Sequence, residues 1–274
     1  HRLKKQRQIG MKKIVFGFLT LCVLFASIKA DTGLSTDFAD LPSIKTAKNI
    51  SYGTDRKQRF DIYFPQKITK ETKTVLMIHG GAWSMGDKSS KNVVQNKAAH
   101  LTKIGYIFAS ANYRLLPQTD PLTQKDDIKA AFEGVVRYID KLGADKQKVI
   151  LMGHSAGAHL VTLLNTSEKG DWAAVVSLDS AAYDFVELMG RPHFEFYDKI
   201  FGQKDQNYLK ELSPKYKIST KTPPMLLVCS MLRADGACKM TEDFAQEASK
   251  YQNKIKIIKE KKTHAEINDD LGLD

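Results

Sequence analysis

Residues Lys148 to Leu164 read KVILMGHSAGAHLVTLL. The run Lys148–Gly153 is nearly all apolar and suits a strand buried on both faces of a sheet. The run Ala156–Leu164 is too long for a strand and reads as the helix that follows it. Between them stands Gly153-His154-Ser155-Ala156-Gly157. In a strand-to-helix turn this tight, the residues two before and two after the serine must lack bulk for the turn to close. The helix beginning at Ala156 points its free N–H groups and positive dipole end toward the serine, where negative charge can be stabilised. A bare G-x-S-x-G arises by chance about once in ten chains of this length, so the flanking strand and helix carry the weight of this reading.

Working outward from that turn, apolar β-branched runs alternate with helical patterns, as in βαβ units. Strands are expected at Thr74–His79, Tyr106–Tyr113, Ala173–Leu178, Met225–Cys229 and Lys254–Lys259. Helices are expected at Lys91–Lys103, Asp126–Leu142 and Thr241–Tyr251. Asn49–Tyr52 and Arg59–Phe64 read as a leading antiparallel hairpin. The segment from Asp179 to Lys221 is aromatic and irregular, and its residues 183–216 read as a helical, cap-like insertion. The fold class is α/β, with one open, mainly parallel, doubly wound sheet over residues 31–274. Such sheets bind ligands where strands end at their carboxyl side, which singles out the loops beginning at His79, Gly153, Asp179, Cys229 and Lys261.

The first of those loops reads His79-Gly80-Gly81-Ala82-Trp83. Paired glycines there let backbone N–H groups face a ligand without obstruction, as in the oxyanion loops of lipases and esterases. HGGAW at 79–83, GDK at 86–88, NYRL at 112–115, GHSAG at 153–157 and HAEIN at 264–268 follow one another in the chain. In these motifs and their order the sequence resembles bacterial carboxylesterases of the hormone-sensitive-lipase-like, acetyl-esterase branch of the α/β-hydrolases, over about residues 45–272.

The resemblance implies the α/β-hydrolase fold and a serine carboxylesterase acting on small esters with short acyl groups. It implies a Ser–acid–His triad, no metal and no cofactor. Ser155 is the expected nucleophile, with Gly80, Gly81 and Ala156 as oxyanion donors. His264 is the expected base, because a loop just past the last strand can reach back to Ser155; His193 is the minor alternative. The acid is expected after the strand Met225–Cys229, where Asp235 is the carboxylate of the loop and Glu242 or Asp243 could substitute. This loop departs from the family wording, with Cys-Ser where His-Gly is common. Trp83 and His154 are candidate pocket residues. Arg114 is expected to pair with Asp127, and Asp87 to fix the oxyanion loop. The family also implies a closing helix past His264, where this sequence has ten residues; its loss would expose apolar surface and lower stability.

Charge and cysteine content bound the setting. The chain of 274 residues has a net charge of +11, but seven of its cations lie in residues 1–30, which hold no acid. The remainder has 35 basic and 31 acidic residues, a net +4, so nucleic acid is not an expected partner. Met11-Lys12-Lys13, the apolar run Ile14–Ile28 and Lys29-Ala30 read as a signal peptide over 11–30, cut after Ala30 or Ala26. Residues 1–10 then form an upstream extension. Its apolar run is shorter than the ~20 residues a membrane helix needs. Export to the periplasm or medium, without stable membrane association after cleavage, is the expectation. Cleavage would leave Cys229 and Cys238, either as a disulfide or as two buried thiols. An arylformamidase-like amidase, a polysaccharide acetyl or feruloyl esterase, and a non-catalytic binding protein are the competing functions. The oligomeric state is not legible.

Overall fold

The computed structural model describes residue 39 and residues 41–273; the signal-peptide reading over 11–30 lies outside the described residues. Eight strands form one sheet: β1 (Thr46–Ser51), β2 (Arg59–Tyr63), β3 (Thr74–Ile78), β4 (Ile107–Ala111), β5 (Val149–His154), β6 (Ala174–Leu178), β7 (Met225–Ser230) and β8 (Ile255–Glu260). Their order is β1-β2-β4-β3-β5-β6-β7-β8. β1 pairs antiparallel with β2, and β2 with β4, as the leading hairpin requires. Every other pairing is parallel.

The apolar strands explain why both faces are covered. Leu76, Ile78 and Leu151 join one core cluster, whereas Val75, Met77 and Met152 join the other. That alternation along β3 and β5 leaves no face for solvent, so helices must pack on both sides. They include α1 (Lys91–Lys103), α2 (Pro121–Asp140) and α3 (Ala156–Ser167). Helix α2 begins five residues before the sequence expectation, because Asp120 accepts the Thr123 N–H and Pro121 takes the first helical position.

Chain order reverses at β3, which lies between β4 and β5. The loops leaving β3 and β5 therefore face one another across the crevice where open α/β sheets bind ligands. After β6 the aromatic excursion forms α4 (Phe185–Met189), α5 (Glu195–Phe201), α6 (Gln206–Leu212) and α7 (Pro214–Lys217). Helix α8 (Ala237–Ser249) follows β7, and α9 (His264–Asp269) follows β8. His264 was expected in a loop; it instead opens α9. Thr263 and Glu266 form a reciprocal capping box there, which satisfies the first N–H groups of this short helix. Among the described residues no helix is long and apolar enough to cross a membrane.

Candidate active site

Ser155 sits in the left-handed region, with φ 55° and ψ −119°. A non-glycine residue held there costs on the order of 1–3 kcal/mol and needs support from its surroundings. The Ser155 N–H donates to the Leu178 carbonyl at 2.9 Å, tying the turn to the end of β6. The flanking glycines are required sterically. A Cβ on Gly153 would collide with the Gly157 carbonyl, and one on Gly157 with the Ile78 carbonyl. A Cβ on Gly80 would come within 2.9 Å of Ser155 Cβ, so the two loops press together at the serine. No side chain caps the N-terminus of α3, which leaves its first N–H groups available beside the serine.

The loop after β3 is shaped by three consecutive positive-φ residues, Gly81 at 117°, Ala82 at 49° and Trp83 at 58°. Ser84 and Met85 donate their N–H groups to the Gly81 carbonyl and close it into a turn. Asp87 braces its far end, accepting from Ser89 and from Asn112 Nδ2 at 2.8 Å, as the sequence suggested. Arg114 forms a bidentate pair with Asp127, also as expected. Trp83 is buried against Phe201, Phe185 and Tyr197 of the excursion, with ring centroids 5.1, 5.8 and 6.0 Å away. Its indole N–H donates to His159 Nδ1 at 3.1 Å, and His159 Nε2 donates to the Leu212 carbonyl. Burial pushes the His159 imidazole down to about 4, so it stays neutral and fixes both partners.

A narrow cleft opens at Ser155. Ala82, Trp83, Ala156, Ala181, Ala182, Phe196 and Tyr197 form most of its wall, joined by Asp179, Ser180 and Arg233. Ala156 lines it. From the loop after β3 the lining comes from Ala82 and Trp83, and Gly80 and Gly81 are not part of it.

His264 Nδ1–H donates to Asp179 Oδ2 at 2.6 Å, which leaves Nε2 as the acceptor. The acid expected at Asp235 is therefore corrected: the carboxylate on His264 is that of Asp179, at the end of β6. Asp235 is turned instead toward Arg233, with Oδ1 accepting from Arg233 Nε at 2.9 Å and Oδ2 from Nη2. The alternatives are likewise placed elsewhere, Glu242 on Lys259, Asp243 on Lys239 and His193 beside Asp198.

Asp179 is fully buried and has φ 54°, a left-handed turn that swings its side chain back over the sheet. Its N–H donates to the Val228 carbonyl and its Oδ1 accepts from the Ser230 N–H at 2.7 Å. Burial alone would raise its pKa. The hydrogen bond from His264 and the charge of Arg233 outweigh burial and hold the carboxyl below its ordinary range. The sequence did carry a signal: an aspartate directly follows β6, the strand beside the one that leads to Ser155.

His154 is a second correction, because it does not line the cleft. It is buried, its ring lies 4.4 Å from that of His264 and tilted to it, and its Nε2 donates to the His264 carbonyl at 2.9 Å. Burial and the neighbouring His264 push its pKa well below the ordinary value. His154 thus ties the start of α9 to the residue next to Ser155. The far end of α9 is held by Lys97, whose Nζ donates to the Asn268 carbonyl at 2.5 Å. Cys229 and Cys238 form a disulfide, Cα–Cα 5.1 Å, closing the loop that carries Arg233 and Asp235.

The family model BD-FAE matches residues 60–196, half of the chain. A probable isoprenylcysteine alpha-carbonyl methylesterase of Arabidopsis thaliana is 25% identical over 245 residues, covering 80% of this chain and 51% of that protein. The chain thus spans about half the length of this curated relative. Esterase B from Lactobacillus rhamnosis has a similar fold, with TM-score 0.65 and 21% identity over 81% of this chain and 76% of that one. So does a truncated carbohydrate esterase from gut microbiota, with TM-score 0.70 and 19% identity over 81% and 90% of the respective chains. With the Ser155 turn, the glycine loop and the sheet order in one frame, the chain belongs to the BD-FAE family and has the α/β-hydrolase fold.

Proposed function

We propose that the protein is a serine carboxylesterase for small, short-acyl esters, with Ser155 as nucleophile, His264 as base and Asp179 as acid. The observation that carries this reading is the 2.6 Å His264–Asp179 hydrogen bond, whose carboxylate lines the same cleft as a serine held in a strained turn. His264 Nε2 takes the Ser155 proton as Oγ attacks the ester carbonyl; the imidazolium then protonates the leaving alcohol, giving an acyl-enzyme. Water, activated by the same imidazole, releases the acid. The Ala156 N–H at the start of α3, with N–H groups of the Gly80–Ala82 loop, stabilises the oxyanion. Asp179 fixes the tautomer and balances the charge that His264 gains.

The walls of the cleft support the short-acyl reading. Four alanines, Ala82, Ala156, Ala181 and Ala182, line a small space together with Trp83, Phe196 and Tyr197. The esterase names of the similar proteins support the reaction class. Export is part of the proposal: the apolar leader over 11–30 and the Cys229–Cys238 bridge both suit an oxidising compartment. Turnover of p-nitrophenyl acetate, butyrate and octanoate by wild type beside Ser155→Ala tests the reading. Hydrolysis that falls as the acyl chain lengthens and drops at least ~10⁴-fold in the variant is expected. Equal activity in Ser155→Ala would refute it.

A further inference from the structure

The loop after β7 sends an arginine, not a carboxylate, to the base. Arg233 Nη1 lies 3.3 Å from His264 Nδ1 and donates to Asp179 at two points, Oδ2 at 3.1 Å and the carbonyl at 2.9 Å. Its Nε and Nη2 fork onto Asp235. The guanidinium and both carboxylates are buried, and the Phe194 ring lies 5.8 Å from Arg233 Cζ. The disulfide ties the two ends of this loop together.

From this arrangement we infer that Arg233 is a positioning residue for the triad, a fork that holds the Asp179 carboxylate on His264 and is itself held by Asp235. The inference rests on the esterase reading above.

Arg233 lines the cleft, so a role as an anchor for an anionic substrate is the obvious rival. Donor counting disfavours it. A guanidinium has five N–H groups, and four of them are spent on Asp179 and Asp235. Charge counting disfavours it too. Two carboxylates around one guanidinium leave a net −1, which repels an anion and is cancelled only when His264 becomes imidazolium. The group is therefore balanced for the charged base that forms during turnover, not for an acidic substrate. The Nη1 contact adds to the Ser230 and His264 bonds in restricting the Asp179 side chain, and misplacement by about 1 Å can cost ~10²-fold in rate.

Arg233→Met and Asp235→Asn test the assignment, each with folding checked by circular dichroism and thermal melting. kcat and KM are measured on p-nitrophenyl acetate, and the hydrogen-bonded Nδ1 proton of His264 is followed by proton NMR, which needs no turnover. The expected result for Arg233→Met is a kcat lower by ~10–100-fold with KM nearly unchanged, and an Nδ1 proton signal that moves upfield or exchanges away. Asp235→Asn keeps the guanidinium but loosens the fork, and a kcat lower by ~3–10-fold is expected. It decides the matter if Arg233→Met does not fold. A folded variant with wild-type kcat and an unmoved proton signal would overturn the inference, and so would a rise in KM alone, which is the mark of a substrate anchor. Should the wild type hydrolyse no ester, the esterase reading fails, and the proton signal still decides whether Arg233 holds the His264–Asp179 pair.

Discussion

Asp179 and His264 meet across 85 residues of sequence, 2.6 Å apart, with the carboxylate delivered from the end of β6 and the imidazole from the start of α9. Two backbone features make this possible. The left-handed Asp179 turns its side chain over the sheet, and the Ser230 N–H from the top of β7 holds the other carboxylate oxygen. The neighbouring strands thus share one charge network, in which β6 supplies the anion and the loop after β7 supplies its cation.

The tight turn at Ser155 makes Gly157 intolerant of any side chain. Gly157→Ala pushes a methyl group into the Ile78 carbonyl. A loss of about 1–3 kcal/mol in stability is expected, with activity falling as the serine shifts. Denaturant unfolding and p-nitrophenyl acetate assays check this together.

Acid should destabilise the fold early. Burial lowers the pKa of His79 and of His159 to about 4 each, and that of His154 well below its ordinary value. An unfolded histidine titrates near ~6.5. Below that pH the unfolded chain binds protons that the folded chain refuses, so stability is complete above about 6.5 and is lost as the pH falls toward 4. Asp179 adds to the loss at lower pH, since its folded pKa is depressed. Melting temperature measured from pH 8 to pH 4 should fall across that window, and His159→Gln should flatten the slope.

The disulfide closes a short loop around Arg233 and Asp235. Chain-entropy reasoning puts its contribution at about 2–3 kcal/mol. Cys238→Ser should lower stability by that amount and kcat several-fold, with KM little changed. Urea unfolding and steady-state kinetics on oxidised protein provide the check.

Lys97, on α1, anchors α9 by donating its Nζ to the Asn268 carbonyl. Its removal takes this donor from the Asn268 carbonyl, at a cost of about 1–3 kcal/mol. Lys97→Met should therefore destabilise the protein and lower kcat, because α9 carries His264. A melt and a single rate measurement suffice.

Ser155 was legible because its signal is local: two glycines at fixed offsets, an apolar strand before and a helix after. His264 was legible from its place beyond the last strand, although its helix was not. The Thr263-x-x-Glu266 pattern that starts α9 is itself a local signal, but only three residues separate the end of β8 from that helix. Asp179 was not legible as the partner of His264 because that pairing depends on a three-dimensional choice. Carboxylates follow both β6 and β7, and spacing does not say which one a histidine 85 residues away will meet. Arg233 settles it physically, since its fork draws Asp235 away from the base. His154 was misread because a polar side chain beside the serine can point into the cleft or beneath it; here it reaches the His264 carbonyl.

The most direct measurement compares Asp179→Asn with Asp235→Asn in kcat/KM for p-nitrophenyl acetate. The expected result is a loss of ~10³–10⁴-fold for Asp179→Asn and of no more than ~10-fold for Asp235→Asn. The reverse order, with Asp235→Asn the crippled enzyme and Asp179→Asn nearly intact, would contradict the assignment of Asp179 as the acid on His264.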